Sequence, residues 1–168
     1  MIELSLSWED LESGLVQKLF ELEGNNLDDN SLSFSDNKIE CLLSTEKQWH
    51  GFQLKGDISF SFIEHCDRCL LEYKDKRKTT LKILLTNNRD LIQKENDDTL
   101  WFDKSDKLID IGPIIRDQIL TTESIKKICN DNCKGICQFC GINQNKKSCN
   151  CDSKQTTDNR WENLKELV

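Results

Sequence analysis

The feature that most restricts how this chain can fold is the concentration of cysteine near its C-terminal end. Six of its nine cysteines stand in one stretch with little apolar material: Cys129, Cys133, Cys137, Cys140, Cys149 and Cys151. Such a stretch cannot fold by burying hydrophobic surface, so it needs another source of order. Thiolates that bind a metal ion supply that order.

Three further cysteines lie outside the tail: the C-x2-C pair Cys66 and Cys69, and an isolated Cys41. An odd count of nine argues against a fully paired disulfide framework. Setting Cys41 aside leaves eight thiols, enough for two tetrahedral zinc sites of four ligands each. Gly135 and Gly141 supply the tight turns that a metal knuckle requires. We therefore predict one or two bound zinc ions, with iron–sulfur ligation by the same thiolates as the alternative.

The interpretation favoured here places the two C-x2-C pairs face to face in one ribbon-like site. Cys66 and Cys69 then join Cys137 and Cys140, and the second site takes the remaining four thiols: Cys129, Cys133, Cys149 and Cys151.

Two other side chains near these groups are predicted to have structural roles. Cys41 lies on the apolar face of a predicted strand, where a free cysteine is usually part of the core. His65 precedes Cys66, but with eight candidate thiolates we expect it to be a neighbour of the site and not a ligand.

Apolar spacing in the first 128 residues predicts an α+β fold, an antiparallel sheet with helices packed on it. We expect a helix from about Trp8 to Glu23 that opens with a Ser7 and Asp10 capping box, then a hairpin from Leu32 to Leu43 and a strand from Phe52 to Phe62. A strand pair joined by the Cys66/Cys69 knuckle should follow. After it we expect an edge segment at Leu100, Trp101 and Phe102, and a helix that begins near Asp110 with Pro113 in its first turn.

The chain is short enough for one hydrophobic core. We expect an α+β body over 1–128, which includes the knuckle, and a cysteine-rich metal-binding tail over 129–168 that ends in a short helix with Trp161, Leu164 and Leu167 on its apolar face. A bound metal would link the tail to the sheet, so that the two parts form one structural unit.

The net charge of −7 excludes a protein that coats nucleic acid by neutralising phosphates along its whole surface. Any RNA contact has to be local. The candidates are basic residues that follow the knuckle or lie in the tail: Lys74, Lys76, Arg77, Lys78 and Lys134. Solubilising charges are an equally good interpretation of these residues. The four tryptophans could stack on bases, but each adjoins an apolar segment, so core or docking roles are favoured.

Enzymatic chemistry has little support in this sequence. It contains no nucleophile–base signature, no glycine-rich phosphate loop and no HExxH motif, so we predict a non-enzyme with no small-molecule substrate. The sequence shows no basic leader and no apolar run long enough to span a membrane, which favours an intracellular location.

Four segments appear in an order that resembles the YceD family, over about Phe52 to Val168. They are CDRCLLEY, DIGPIIRDQIL, CNDNCKGICQFCGINQNKKSCNC and DNRWENLKEL. The most specific parts are Cys133 to Cys137, Cys140 with Gly141, the Asn143 and Asn145 spacing, and Cys149 with Cys151. Asn159 stands where a proline often precedes the terminal helix, and LTTESIKKIC lacks the proline that often leads to the first tail cysteine.

The resemblance implies a non-enzymatic factor for accumulation or processing of large-subunit ribosomal RNA. It implies pre-ribosomal RNA or a ribosomal protein as the partner, and the bacterial cytoplasm or the plastid stroma as the location. A zinc-stabilised protein adapter without RNA contact is a serious alternative. A thiol redox protein is less favoured, because that chemistry needs its C-x2-C pair at a helix N-terminus and Cys66 and Cys69 lie between predicted strands.

Overall fold

A computed structural model of the 168-residue chain describes residues 4–27, 32–89, 98–103 and 105–151. Its elements, in chain order, are β1 (Ser5–Ser7), α1 (Trp8–Ser13), β2 (Lys18–Glu23), a 3-10 turn (Gly24–Leu27), β3 (Lys38–Gln48), β4 (Gly51–His65), β5 (Glu72–Thr86), β6 (Thr99–Trp101), β7 (Leu108–Asp110) and α2 (Gly112–Leu120). No described helix is long and apolar enough to cross a membrane.

The main sheet has five strands in the order β2-β3-β4-β5-β6. Its first four strands pair antiparallel, as predicted, but β6 pairs parallel with β5, so the sheet is mixed. A separate antiparallel pair, β1 with β7, brings the start of the chain beside the entry to α2. The predicted α+β class is therefore confirmed in its coarse form, with a sheet that is antiparallel over most of its width.

One face of the main sheet, here called the inner face, carries the core. Alternate residues of β3, β4 and β5 are buried there, and Ile115 and Ile119 of α2 pack into the same apolar cluster. Cys41 is fully buried in this cluster, which confirms its predicted core role. Burial raises the pKa of the Cys41 thiol to about 12, so it stays protonated at neutral pH.

The opposite face, here called the outer face, is polar. On β5 the exposed side chains alternate with inward ones, which places Lys74, Lys76, Lys78 and Lys82 together on this face. Across the strand pair, Lys55 of β4 lies opposite Lys82. A row of lysines therefore runs along β5 although the chain as a whole is acidic.

The predicted helix from Trp8 to Glu23 is wrong beyond its first turns. The Ser7 and Asp10 capping box is present, as expected, but α1 ends where Gly14 takes a φ of +76°. Residues 18–23 instead form β2, with Leu22 buried and Leu19 exposed on opposite faces. Leu11, Leu15, Leu19 and Leu22 fit a helical period by their spacing, but pairing with β3 decided the local structure.

The predicted hairpin from Leu32 to Leu43 is also wrong. Phe34 forms only an isolated bridge with Phe62, while β3 pairs with β2 and β4. The backbone at Asn37 has a φ of +49°, but the chain does not fold back there. The Ser35 N–H donates to the Ser61 carbonyl and the Ile63 N–H donates to the Ser33 carbonyl, so this segment runs beside β4 in the same direction as β3.

Several other elements match the predictions. The strand from Phe52 to Phe62 lies within β4, and Cys66 and Cys69 lie on the turn between β4 and β5. The edge segment at Leu100 lies in β6, and α2 begins after Asp110, whose carboxylate accepts from the Gly112 N–H. The predicted terminal helix with Trp161, Leu164 and Leu167 lies outside the described residues.

Replacing a core leucine should destabilise the sheet much more than replacing an exposed one. Leu54→Ala removes a fully buried side chain and should lower the free energy of unfolding by about 2–5 kcal/mol. The matched control Leu19→Ala, at a side chain that is 55% exposed, should change it by less than about 0.5 kcal/mol. Urea denaturation of both variants measures the difference, and equal effects would contradict this core assignment.

Candidate metal centres

Two groups of four cysteines could each hold a metal ion. The first group is Cys66, Cys69, Cys129 and Cys133, and the second is Cys137, Cys140, Cys149 and Cys151. Within each group all four sulfur atoms lie within 4.8 Å of one another. Four mutually close thiols match the ligand set of a structural zinc site.

The first group joins the sheet to the tail. Its first pair lies on the β4–β5 turn and its second pair follows α2, with the Cys66 and Cys133 sulfurs 3.8 Å apart and those of Cys69 and Cys129 3.7 Å apart. Three of the four residues are buried, and Cys129 is partly exposed. The second group lies wholly within the tail, and two of its members, Cys140 and Cys151, are exposed.

The two C-x2-C turns have the same hydrogen-bond scheme. In the first, the Leu70 N–H donates to the Cys66 carbonyl and the Cys66 N–H donates to the Leu71 carbonyl. In the second, the Gly141 N–H donates to the Cys137 carbonyl, and the Cys137 N–H donates in turn to the Ile142 carbonyl. The residue after each second cysteine has a positive φ, +56° at Leu70 and +72° at Gly141. Both turns share one geometry, which suits a metal-binding knuckle.

The expected pairing of the two knuckles in one site is wrong. The first knuckle groups with Cys129 and Cys133, and the second groups with Cys149 and Cys151. The reason is how the tail crosses the first knuckle: the Ile136 N–H donates to the Arg68 carbonyl, 3.0 Å away. This contact leaves Cys133 on the side of the first knuckle and directs Cys137 away from it.

Hydrogen bonds from main-chain N–H groups lower the pKa of one thiol in each group. Burial opposes ionisation of Cys66, but hydrogen bonds from the backbone of Cys129, Cys69 and Arg68 outweigh it and lower its pKa to about 6. Backbone hydrogen bonds from Cys140 and Phe139 likewise lower the pKa of Cys137 to about 6. Each knuckle therefore supplies a thiolate at neutral pH without a metal.

One other thiol in each group, Cys129 in the first and Cys151 in the second, is harder to ionise. Burial and hydrogen bonds with neighbouring cysteines raise the pKa of Cys129 to about 12. The pKa of Cys151 is also raised to about 12, by its hydrogen bond with Cys140 and by burial. Four thiolates within contact distance repel one another, and a bound cation removes that repulsion and favours the ionised forms. The electrostatics of both groups therefore favour occupation by a cation.

Two asparagines that lie between Cys140 and Cys149 hydrogen-bond to residues of the first cysteine group. The Asn145 side-chain amide donates to the Cys133 sulfur at 3.3 Å, and its carbonyl accepts from the Lys134 N–H. Asn143 donates to the Cys69 carbonyl. These contacts explain the Asn143 and Asn145 spacing noted in the sequence, because each amide holds a ligand residue in position.

Sequence reasoning missed an ion cluster between the sheet and the tail. Glu64 is 8% exposed; its carboxylate lies 3.2 Å from an Arg77 nitrogen and 2.8 Å from the Lys127 Nζ. Glu64 and Lys127 each precede a first-site cysteine by two residues. The hydrogen bond to Glu64 raises the pKa of Lys127, which keeps the ammonium charged. The sequence does contain a signal for this cluster: Glu64 continues the alternation of Phe60 and Phe62, so its side chain points to the same inner face of the sheet.

The candidate RNA-contact residues are divided between surfaces. Lys74, Lys76 and Lys78 lie on the outer face, whereas Arg77 points to the inner side, where its guanidinium is 10% exposed and bonds Glu64 and Asp75. Lys134 is exposed in the tail, beside the first site. His65 is outside both cysteine groups and lies 4.0 Å from Glu72.

Comparison with known families gives a match over the part of the chain that contains both cysteine groups. The family model described as large ribosomal RNA subunit accumulation protein YceD matches residues 54–168, which is more than half of the chain and contains both cysteine groups. The chain belongs to the YceD family. No solved structure matches this YceD-family chain.

Two curated plant proteins are similar to part of this YceD-family chain. Both are named large ribosomal RNA subunit accumulation protein YCED homolog 1, chloroplastic. The maize protein is 40% identical over 81 residues, which are 48% of this chain and 27% of the maize protein. The Arabidopsis thaliana protein is 41% identical over 63 residues, 33% of this chain and 20% of that protein. The matched parts therefore span 27% and 20% of the length of these relatives.

Purified protein should contain two metal ions per chain, one in each cysteine group. Cys66→Ser with Cys69→Ser should remove one ion, and Cys140→Ser with Cys151→Ser should remove the other, because three or fewer thiolates do not complete a tetrahedral site. Cys41→Ala is the matched control and should keep both ions. Elemental analysis with thiol titration measures this, and less than one ion per chain with every thiol reactive would refute it.

Proposed function

We propose that this chain is a non-catalytic factor for the accumulation of large-subunit ribosomal RNA, and that zinc organises its tail. The observation that carries the proposal is the family match over 54–168, whose description names that role and whose span includes all eight clustered cysteines. Both curated relatives carry the same description. Their names attribute the role to those proteins, and its extension to this chain is the proposal.

Zinc is the metal that the donor sets favour. Each group offers four sulfur ligands and no oxygen or nitrogen ligand, which excludes hard cations such as Mg²⁺ and Ca²⁺ on chemical grounds. Backbone N–H groups already donate to the knuckle sulfurs of Cys66 and Cys137, an arrangement that stabilises a zinc-bound thiolate. Closed sites of four thiolates are structural, so zinc here would order the chain and leave no position for a substrate.

Body and tail would act as one unit. Lys127 and Asp67 exchange main-chain and side-chain hydrogen bonds of 2.8 and 2.7 Å, and Arg68 donates to the Cys133 carbonyl. With the Glu64 to Lys127 ion pair, these contacts surround the first metal site. Residues 1–128 would then be ordered by hydrophobic burial and the tail by bound metal, and both would belong to a single structure.

The lysine row on the outer face is the proposed RNA contact. Lys74, Lys76 and Lys78 recur every second residue of β5, so that about 6–7 Å separates their neighbouring Cα atoms along the strand. Lys74 pairs with Asp36 and Lys78 with Asp57, but these pairs are exposed and contribute little, so a phosphate can replace the carboxylate. Arg77, held inward by Glu64, would support β5 without touching RNA.

A protein-binding role has one observation in its favour. Exposed apolar side chains gather on and beside the two knuckles: Leu70, Leu71, Ile136, Phe139 and Ile142. Apolar groups exposed on rigid turns are typical contact residues of protein interfaces. A ribosomal protein bound there would make this chain an adapter, with or without RNA on the outer face.

Loss of the first metal site in cells should lower mature large-subunit RNA. Cys66→Ser with Cys69→Ser removes a site whose zinc would contribute about 10 kcal/mol or more of folding free energy, and within residues 129–151 of the tail the buried cluster beside this site consists of cysteines. Northern analysis of large-subunit RNA, with Cys41→Ala as the control, measures the effect. Unchanged RNA levels in the double variant would remove the assembly-factor proposal.

Neutralising the lysine row should weaken RNA binding and its dependence on salt. Replacing Lys74, Lys76 and Lys78 by Gln removes about three phosphate contacts, so the slope of log affinity against log salt should fall by about 2 for single-stranded RNA. Gln at the exposed residues Lys18, Lys107 and Lys126 changes the net charge equally and is the control. Equal slopes for the two triple variants would contradict an RNA contact on the outer face.

A further inference from the structure

Trp49, in the turn between β3 and β4, has surroundings unlike those of the other described tryptophans. Its side chain is 92% exposed, whereas Trp8 packs in an edge-on contact against Phe52. Trp101 is only partly exposed, and the Arg89 guanidinium lies 4.7 Å from its ring centroid. Of the two roles favoured for the tryptophans, core or docking, the core role therefore does not apply to Trp49.

The turn that presents this indole is fixed to the end of β5. Thr86 is fully buried, and its hydroxyl donates to the His50 carbonyl at 2.6 Å. Gly51, with a φ of +149°, lies so close to β5 that a Cβ there would sit 2.0 Å from the Leu85 carbonyl oxygen. The backbone of residues 49–51 is therefore anchored, and the indole projects from a rigid support.

A rigid support matters because it lowers the cost of binding. A side chain on an anchored backbone needs no ordering of that backbone when a partner covers it, so less conformational entropy is lost. An exposed indole also leaves a large apolar area in water, which is unfavourable unless a partner removes that area from solvent. Exposed aromatic residues with these two properties are typical contact residues.

The charges around the turn favour an anionic partner. Residues 45–55 and 82–89 contain the cations Lys47, Lys55, Lys82 and Arg89, against the single carboxylate of Glu46. Asp98, whose carbonyl accepts from the Leu84 N–H, adds a second carboxylate beside this end of β5. Among these described residues cations outnumber carboxylates by four to two, with Lys55 paired to Glu46 at the surface, on a chain whose net charge is −7.

We propose that Trp49 stacks on an unpaired nucleotide of RNA, which makes the β3–β4 turn a base-contacting site distinct from the lysine row. Every base has a π-face, and an aromatic side chain reaches it once the base is outside a duplex. Lys55 and Lys82 continue the lysine row toward this turn on the same face of the sheet. A single strand that follows β5 would thus bring its phosphates past the lysines and a base onto the indole.

This inference rests on the proposed RNA contact and extends it. Trp49 precedes residue 54, the first residue that the family model matches, so family membership assigns no role to this turn. The lysine row supplies attraction that does not depend on base stacking, whereas the indole distinguishes unpaired from paired nucleotides. The two contacts therefore differ in their response to salt and to strand pairing.

The test is binding of a labelled, unstructured oligoribonucleotide of about 20 nucleotides, compared with the same sequence as a duplex. Trp49→Ala should weaken single-strand binding about tenfold and leave the salt slope unchanged, because stacking involves no counterion release. Trp49→Phe should retain most of the affinity, and duplex binding should change little. Ile125→Ala, at another fully exposed apolar side chain, is the control. Metal content and thermal unfolding should be unchanged in all three variants.

The possible results distinguish the Trp49 stacking site from the RNA contact of the lysine row on which it rests. If the wild-type chain binds the single strand and Trp49→Ala binds it equally well, the stacking site is refuted while the lysine row remains supported. If the wild-type chain binds neither oligonucleotide, the RNA contact itself fails and the stacking site with it. If Trp49→Ala loses only its binding to purified large-subunit ribosomal proteins, the turn is a protein contact and the nucleotide assignment is wrong.

Discussion

The four sulfur atoms of the first cysteine group are the contact on which the arrangement of this protein depends. They come from the β4–β5 turn and from the segment after α2, and they meet within 4.8 Å. The tail beyond Cys129 has too little apolar material to attach itself to the sheet by burial. Main-chain hydrogen bonds at Asp67 and Arg68, and the ion pair between Glu64 and Lys127, surround this contact. A cation bound there would stabilise the thiolates and hold sheet and tail together.

Charge on β5 is divided by the two faces of the sheet. Lys76 and its neighbours Lys74 and Lys78 point outward, while Arg77 between them points inward to Glu64. The inward guanidinium contributes to packing and pairing, while the outward lysines are exposed, with Lys74 and Lys78 in surface ion pairs that an anionic partner can displace. A chain with a net charge of −7 can therefore present a basic row on one face without being a general nucleic-acid binder.

The two knuckles show that one local geometry can serve two different sites. Both turns have the same pair of main-chain hydrogen bonds and a positive φ after the second cysteine. The first holds a residue other than glycine, Leu70, in that conformation, and the second holds Gly141. Their hydrogen bonds lower the pKa of Cys66 and of Cys137 to about 6 in the same way. What distinguishes them is the second pair of cysteines, which the path of the chain supplies.

The sequence by itself determined the features that depend on residue type and short spacing. Alternation identified β4, and the run of apolar residues after Asp110 identified α2. Cysteine spacing identified both knuckles and all eight clustered thiols, and the isolation of Cys41 on an apolar face identified it as core. Family membership also followed from the order of local motifs over residues 54–168.

Only the tertiary structure decided what depends on contacts between distant residues. Residues 18–23 have the spacing of a helix, and their pairing with β3 made them a strand. The grouping of thiols depended on where the tail crosses the first knuckle at Arg68, which no spacing along the chain encodes. Whether Arg77 or its neighbouring lysines face solvent depended on the register of β5 against β4, because a shift of one residue exchanges the two faces of a sheet.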